Sequence, residues 1–256
     1  MNPHDTWFQF LPGYANLKAF LQGGLGRGWT WQIFQATHFG IDHVLGAIAV
    51  LAFLGYGAFR YSSAVNAASD GGLVPPPRFG LRNLFEMLTD TIVNLMESVM
   101  GEKDARRFLP LIGTLFFFIL FSNLMALIPG FLPPTDTLKT NLGLSVLIFL
   151  ATHVMGVKAH GLKYFRHFLG PWLPLAPLML PIEIISHIAR PISLSMRLLG
   201  NISADHAVAL AFFGVIPFLI PVPFLLMGVF VSFVQAVVFS LLSTVYIGSA
   251  IAHEDH

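Results

Sequence analysis

Apolar residues fill five long stretches of the chain, separated by shorter runs where polar residues, proline and glycine gather. The first runs from about Phe39 to Tyr61, long enough to cross a hydrocarbon layer of about 30 Å. Ser62–Gly80, with Asp70-Gly-Gly and Pro75-Pro-Pro, reads as a loop. Further apolar spans are expected at about Phe108–Ile128, Leu142–Val157, Leu175–Phe213 and Phe224–Ala252. Pro181 and Pro191 fall inside the fourth, where a membrane helix bends at proline rather than ends. One segment has a different period. Leu81, Leu84, Phe85, Leu88, Ile92, Leu95, Met96 and Val99 recur at three- and four-residue steps, while Arg82, Glu86, Asp90, Asn94 and Glu97 fill the other side. That pattern predicts an amphipathic helix over about 81–100, lying at a membrane interface.

The expected fold is therefore all-α and integral to a membrane: about five transmembrane helices plus one interfacial helix. Residues 1–38 form an N-terminal external segment and 39–256 a single membrane domain. Composition agrees, since 55% of the 256 residues are apolar and 11% charged, against about 25% charged in soluble domains. A net charge of +1 gives no case for nucleic acid as a partner. The absence of cysteine excludes disulfides, thiolate metal sites and cysteine nucleophiles. Met1–Trp7 lacks a basic stretch leading into an apolar core, so no cleaved signal peptide is expected. No fixed-period repeat is evident. Arg60, Arg78, Arg82, Lys103, Arg106 and Arg107 share one connection and Lys158, Lys163 and Arg166 another, whereas residues 129–141 offer only Lys139 against Asp136. Positive-inside reasoning then puts the N-terminus outside and the C-terminus inside.

Against this background Arg197 stands out. It lies in Pro191-Ile-Ser-Leu-Ser-Met-Arg-Leu-Leu-Gly-Asn201, with apolar helix-forming sequence on both sides. A guanidinium at mid-membrane costs roughly 2.5–3.5 kcal/mol on insertion scales and is kept where it faces water or a charged partner. Advancing about 100° per residue, Glu183, His187, Arg190, Ser193, Asn201 and Asp205 fall with Arg197 in a stripe roughly 120° wide. His206 lies on the opposite side. The ends of the stripe, Glu183 and Asp205, are about 33 Å apart at about 1.5 Å per residue, enough to reach both surfaces. In the last helix Ser232, Gln235, Ser243, Tyr246 and Ser249 share a face in the same way.

Matched polar stripes suit either an ion path or contact with another membrane subunit; Ser193, Ser232 and Ser243 also suit simple helix-to-helix bonding. Arg190 has two readings, as part of the stripe or as a side chain snorkelling to headgroups. Glu183 is either its ion-pair partner or a proton relay. Ten histidines invite a metal site, but no ligand spacing such as His-Glu-x-x-His occurs, so neither metal nor cofactor is expected. Nor do the arginines repeat every third residue as in a voltage sensor.

At Ser193-Leu-Ser-Met-Arg-Leu-Leu-Gly-Asn201 the sequence resembles subunit a, the stator channel subunit of F-type ATP synthases. The likeness extends to Gln235–Ala250 and to Ser122-Asn-Leu-Met125, covering most of the chain from about Phe79. The resemblance implies a non-catalytic subunit beside a ring of c subunits, held by b-type peripheral stalk subunits in a bacterial inner membrane. Its last two helices would form a long tilted hairpin against the ring. It implies two proton half-channels, with Arg197 as the gate facing a ring carboxylate. Asn201 and Gln235 match polar positions near that gate, and Glu183 an acidic position toward the inner half-channel. His187, Ser193 and Tyr246 join the expected channel lining. His206 stands where many relatives carry glutamate, and Gly228 where such relatives carry a facing histidine, which leaves Asp205 and His206 both as candidates for the outer path. A self-contained secondary transporter is the alternative, but it would show two related halves with broken helices.

Overall fold

In a computed structural model of the chain, the residues described are 7–16, 18–19, 41–66, 80–128, 131–161, 164, 176–213 and 221–252. Six α-helices account for most of them: α1 (Ile41–Asn66), α2 (Leu81–Met100), α3 (Glu102–Met125), α4 (Leu138–His160), α5 (Ala176–Phe213) and α6 (Pro221–Ile251). Short 3₁₀ turns occur at Trp7–Phe10 and Pro134–Asp136, and no strand is found among the described residues.

The predicted elements are present, with shifted ends. The helix α1 continues through Asn66, past the Ser62 expected to open a loop. Ser62-Ser-Ala-Val-Asn66 holds neither glycine nor proline, so nothing local stops the ladder of hydrogen bonds. Asp70-Gly-Gly and the three prolines lie outside the described residues. The charged run Glu102–Arg107 is the first turn and a half of α3 rather than a connection. Its acids Glu102 and Asp104 sit at the helix N-terminus, where the helix dipole favours them, and Glu102 pairs with Arg106 at 2.8 Å. Between α2 and α3 stands one residue, Gly101, at φ 80° and ψ 161°, a backbone region that only glycine enters without strain.

Four of the helices contain segments long and apolar enough to cross a membrane: Asp42–Asn66, Glu102–Met125, Leu138–His160 and Leu225–Ile251. The expected fifth, α5, is one unbroken helix of 38 residues running through Pro181 and Pro191. It is not among the four, consistent with the charges at Glu183, Arg190 and Arg197 that interrupt its apolar surface.

The core forms where α3 and α6 pack on each other most extensively. Phe116, Ile112 and Ile119 of α3 meet Phe239 and Ile247 of α6 in one buried cluster. The apolar face of the amphipathic helix α2, through Leu88, Ile92 and Met96, is buried in this same cluster. Its placement is thus set by α3 and α6, not by an interface alone. The helix α4 packs on both α5 and α6. Outward-facing apolar side chains are numerous: Phe59 is 69% exposed, Leu226 68%, Phe230 67% and Ile185 66%. A surface of that kind is sustained by lipid or by partner protein, not by water.

Candidate functional site

Arg197 lies on the open side of α5. Leu194, Leu198 and Ile202, at four-residue steps, are buried against the bundle, and Ser195 is buried with them. Ser193, Arg197, Gly200 and Ala204 are exposed along the opposite stripe. Ile188, Ile192 and Met196 beside them are about half exposed, at 52%, 47% and 49%. A permanent charge therefore stands on an apolar helix face that this chain leaves uncovered.

One turn further on, Asn201 Nδ2 donates to Gln235 Oε1 at 2.6 Å. Eleven residues back from Asn201 is Arg190, and eleven on from Gln235 is Tyr246; the Arg190 guanidinium sits 5.3 Å from the centre of the Tyr246 ring. The two contacts fix α5 and α6 antiparallel. They also bring together four residues that the stripes of both helices had singled out.

Arg190 is held by an aromatic face, a cation–π arrangement, and the acid Glu183 meets a different partner. Its carboxylate lies 3.2 Å from Nδ1 of His187. The expected alternative of a Glu183–Arg190 pair is thus replaced by Glu183–His187, which the four-residue helical spacing favours over a seven-residue one. His187 is buried, and its Nδ1 also lies 2.9 Å from the Glu183 carbonyl oxygen.

Buried polar groups on α4 and its neighbours complete the picture. On α4, Asn141, Ser145, Ile148, Thr152 and Gly156 form the buried face, so a polar strip in the third span faces protein. Asn141 Nδ2 donates to the Thr135 carbonyl at 2.8 Å, and Thr135 Oγ1 donates to Asn123 Oδ1 at 2.9 Å. Asn123, Thr135 and Asn141 are all buried. The three-and-four spacing of small polar residues in an apolar helix was the available signal. At the other end of α4, the His153 ring stands edge-to-face to that of His187, with centres 5.4 Å apart, and to Tyr164 at 5.9 Å. Burial holds the Tyr164 hydroxyl above the usual tyrosine range, with the nearby Arg190 charge acting the other way. A small cavity lined by Ser145, Thr152, His153, His187, Arg190 and Tyr246 lies among α4, α5 and α6.

Of the remaining expected residues, Ser232, Gln235 and Ser243 are buried in α6. Ser243 Oγ donates to the Phe239 carbonyl of its own helix at 2.8 Å, so the expected bond between helices is replaced by one within α6. Asp205 and His206 belong to α5, and their side chains lie outside the described residues. Gly228 is buried, with Leu127 Cδ2 2.5 Å from where a β-carbon would stand. A histidine there would displace Leu127. No group of three or more His, Asp or Glu residues able to hold a metal occurs among the described residues.

At the N-terminal end, the Tyr14 hydroxyl donates to Asp42 at 3.0 Å, and Phe8 packs edge-on against Phe131. His43 Nδ1 lies 3.2 Å from the Pro133 carbonyl oxygen. The start of α1 and the connection from α3 to α4 therefore meet at one end of the bundle.

A family model described as ATP synthase A chain matches residues 43–248. ATP synthase subunit a 1 of Syntrophotalea carbinolica is 54% identical over 172 residues, covering 67% of this chain and 73% of that protein. ATP synthase subunit a of Geobacter sulfurreducens is 51% identical over 168 residues, 66% of this chain and 73% of its own length. That of Bdellovibrio bacteriovorus is 42% identical over 219 residues, 84% and 95% of the two chains. The match takes in α5 and Arg197, the Asn201–Gln235 bond and the Arg190–Tyr246 contact alike, and the chain belongs to the ATP synthase subunit a family.

Proposed function

We propose that this subunit carries protons across the membrane at the boundary with a ring of c subunits, coupling their passage to ring rotation and ATP synthesis. The observation that carries the reading is Arg197, a fixed charge on an open apolar face. A carboxylate carried through lipid on a neighbouring subunit would be prohibitively costly alone, and opposite a guanidinium it is partly compensated. Arginine does not give up its proton, so Arg197 acts as an electrostatic gate between two half-channels and never as a relay.

Ser193 and Asn201 flank the gate, and the Asn201–Gln235 bond supports it from α6. Glu183, His187 and Tyr246 line the inner half-channel, and Asp205 and His206 belong to the outer one. The helices α5 and α6 form a tilted hairpin against the ring, making five spans with α1, α3 and α4. The subunit is non-catalytic, lies in a bacterial inner membrane with its N-terminus outside and C-terminus cytoplasmic, and contacts b-type stalk subunits and lipid but no nucleic acid.

The chain has no cysteine, which makes the ring contact directly testable in the intact complex. Ser193→Cys and Gly200→Cys, on the open stripe, should form oxidative cross-links with cysteines placed in the outer helix of the ring subunit. Ser195→Cys, on the buried side, should not. Cross-linking at Ser195 but not at Ser193 or Gly200 would contradict the orientation.

A further inference from the structure

His153 and His187 come from different helices and meet at the end of α5 farthest from Asp205. Each ring is clamped in the same way. His153 Nδ1 lies 2.8 Å from the Phe149 carbonyl oxygen, and His187 Nδ1 lies 2.9 Å from the Glu183 carbonyl oxygen. A carbonyl only accepts, so in the neutral state both rings carry their proton on Nδ1 and keep Nε2 as the basic atom. Both rings line the cavity among α4, α5 and α6, which is roomy enough for about one water molecule.

The titratable and charged groups around the pair come from every neighbouring element. His153 is on α4, Glu183 and Arg190 are on α5, Tyr164 precedes α5, and Tyr246 is on α6. His187 is about 15 Å along α5 from Arg197 at about 1.5 Å per residue. Packing alone calls for an aromatic ring at such a place, not for two imidazoles with a carboxylate at hydrogen-bonding distance from one of them. Ionisable groups inside a membrane bundle are costly and concentrate on ion pathways.

We infer that His153 and His187 form a paired imidazole relay that moves protons between the Arg197 face and the Glu183 carboxylate. This rests on the half-channel reading above. A proton arriving on Nε2 of His187 makes the imidazolium. Its Nδ1 proton then passes to the Glu183 carboxylate, 3.2 Å away, leaving a neutral ring protonated on Nε2 and a neutral Glu183 that releases its proton to inner water. The bare Nδ1 now faces the Glu183 carbonyl; a half-turn about the Cβ–Cγ bond moves it away to take the next proton from cavity water, and the imidazolium turns back to present Nδ1–H to the carbonyl and to Glu183 again. His153, held in the same tautomer 5.4 Å away, exchanges protons with His187 through water in the cavity.

The test uses the intact ATP synthase in inverted membrane vesicles, where the inner half-channel faces the bath. ATP-driven acidification is measured from bath pH 6 to 9 for wild type, His153→Gln, His187→Gln and His187→Ala, each normalised to assembled complex. Proton relays of this type are worth upwards of about 100-fold at full effect; with Glu183 still present, a loss of about ten-fold is expected for His187→Gln. Its pH profile should differ from that of wild type, and imidazole added to the bath should restore His187→Ala. Wild-type rates and profiles in all three variants would overturn the relay, as would a slow His187→Ala that imidazole leaves unchanged. If the His187 variants fail to assemble, His153→Gln decides by its rate and profile. Arg197→Ala run alongside separates the two levels: unaffected histidine variants with an inactive Arg197→Ala overturn only the relay, whereas active Arg197→Ala overturns the reading on which it rests.

Discussion

Asn201 and Gln235 join α5 to α6 by a 2.6 Å amide-to-amide hydrogen bond, one helical turn beyond Arg197. Gln235 is buried and Asn201 partly so. The bond therefore fixes the rotation of α5 about its own axis and, with it, the direction in which Arg197 points. Deleting one partner leaves the other amide without it in a low-dielectric setting. Double-mutant cycles on such bonds between membrane helices average about 0.6 kcal/mol and reach about 1.7.

A coupling energy in that range is expected between Asn201→Ala and Gln235→Ala. Unfolding of the detergent-solubilised complex measures it. The single variants should each lower ATP-driven pumping, and the double variant should be no worse than the product of the two. Fully additive stability effects would show that the bond does not hold the helices.

Gly101 joins α2 to α3 at φ 80° and ψ 161°. Gly101→Ala adds a β-carbon to a conformation that costs about 1–3 kcal/mol for other residues. No neighbouring atom lies within 4 Å of that β-carbon, so the loss should come from the backbone alone. Thermal unfolding should show it, and Gly113→Ala in the helical interior of α3, where the nearest side-chain atom is 3.5 Å away, serves as the control with a smaller effect.

The Tyr14 hydroxyl is pushed up to about 12, first by burial, then by its hydrogen bond to Asp42 and the charge there. A raised tyrosine favours the protonated folded form. Its contribution is complete below pH 10 and is lost as pH rises through 12. Ultraviolet titration should find one tyrosine ionising near the upper end of that window, absent in Tyr14→Phe. A Tyr14 that ionises with the exposed tyrosines would mean the N-terminal segment does not dock on α1.

The amphipathic helix was legible almost to the residue, because its polar and apolar positions segregate at the helical period. So was the stripe on α5, since a charge in an apolar run is visible without knowing its neighbours. What a single helix's pattern does not carry is the partner on another helix. Glu183 reads equally well toward Arg190 or elsewhere until His187 is seen against it. His153 and His187, 34 residues apart in the chain by their numbers, meet only through the packing of α4 on α5. The buried strip Asn141, Ser145 and Thr152 was hidden differently: small hydroxyls satisfy themselves on their own helix, as Ser145 does on the Asn141 carbonyl at 2.8 Å, so they barely disturb an apolar profile.

Arg197 is the residue on which coupling turns. Its role as the gate is tested most directly by ATP-driven acidification of inverted vesicles carrying Arg197→Ala, with assembly of the complex verified in the same preparation. The expected result is an assembled complex that no longer acidifies the vesicles. Acidification at the wild-type rate would contradict the assignment of Arg197 as the gate.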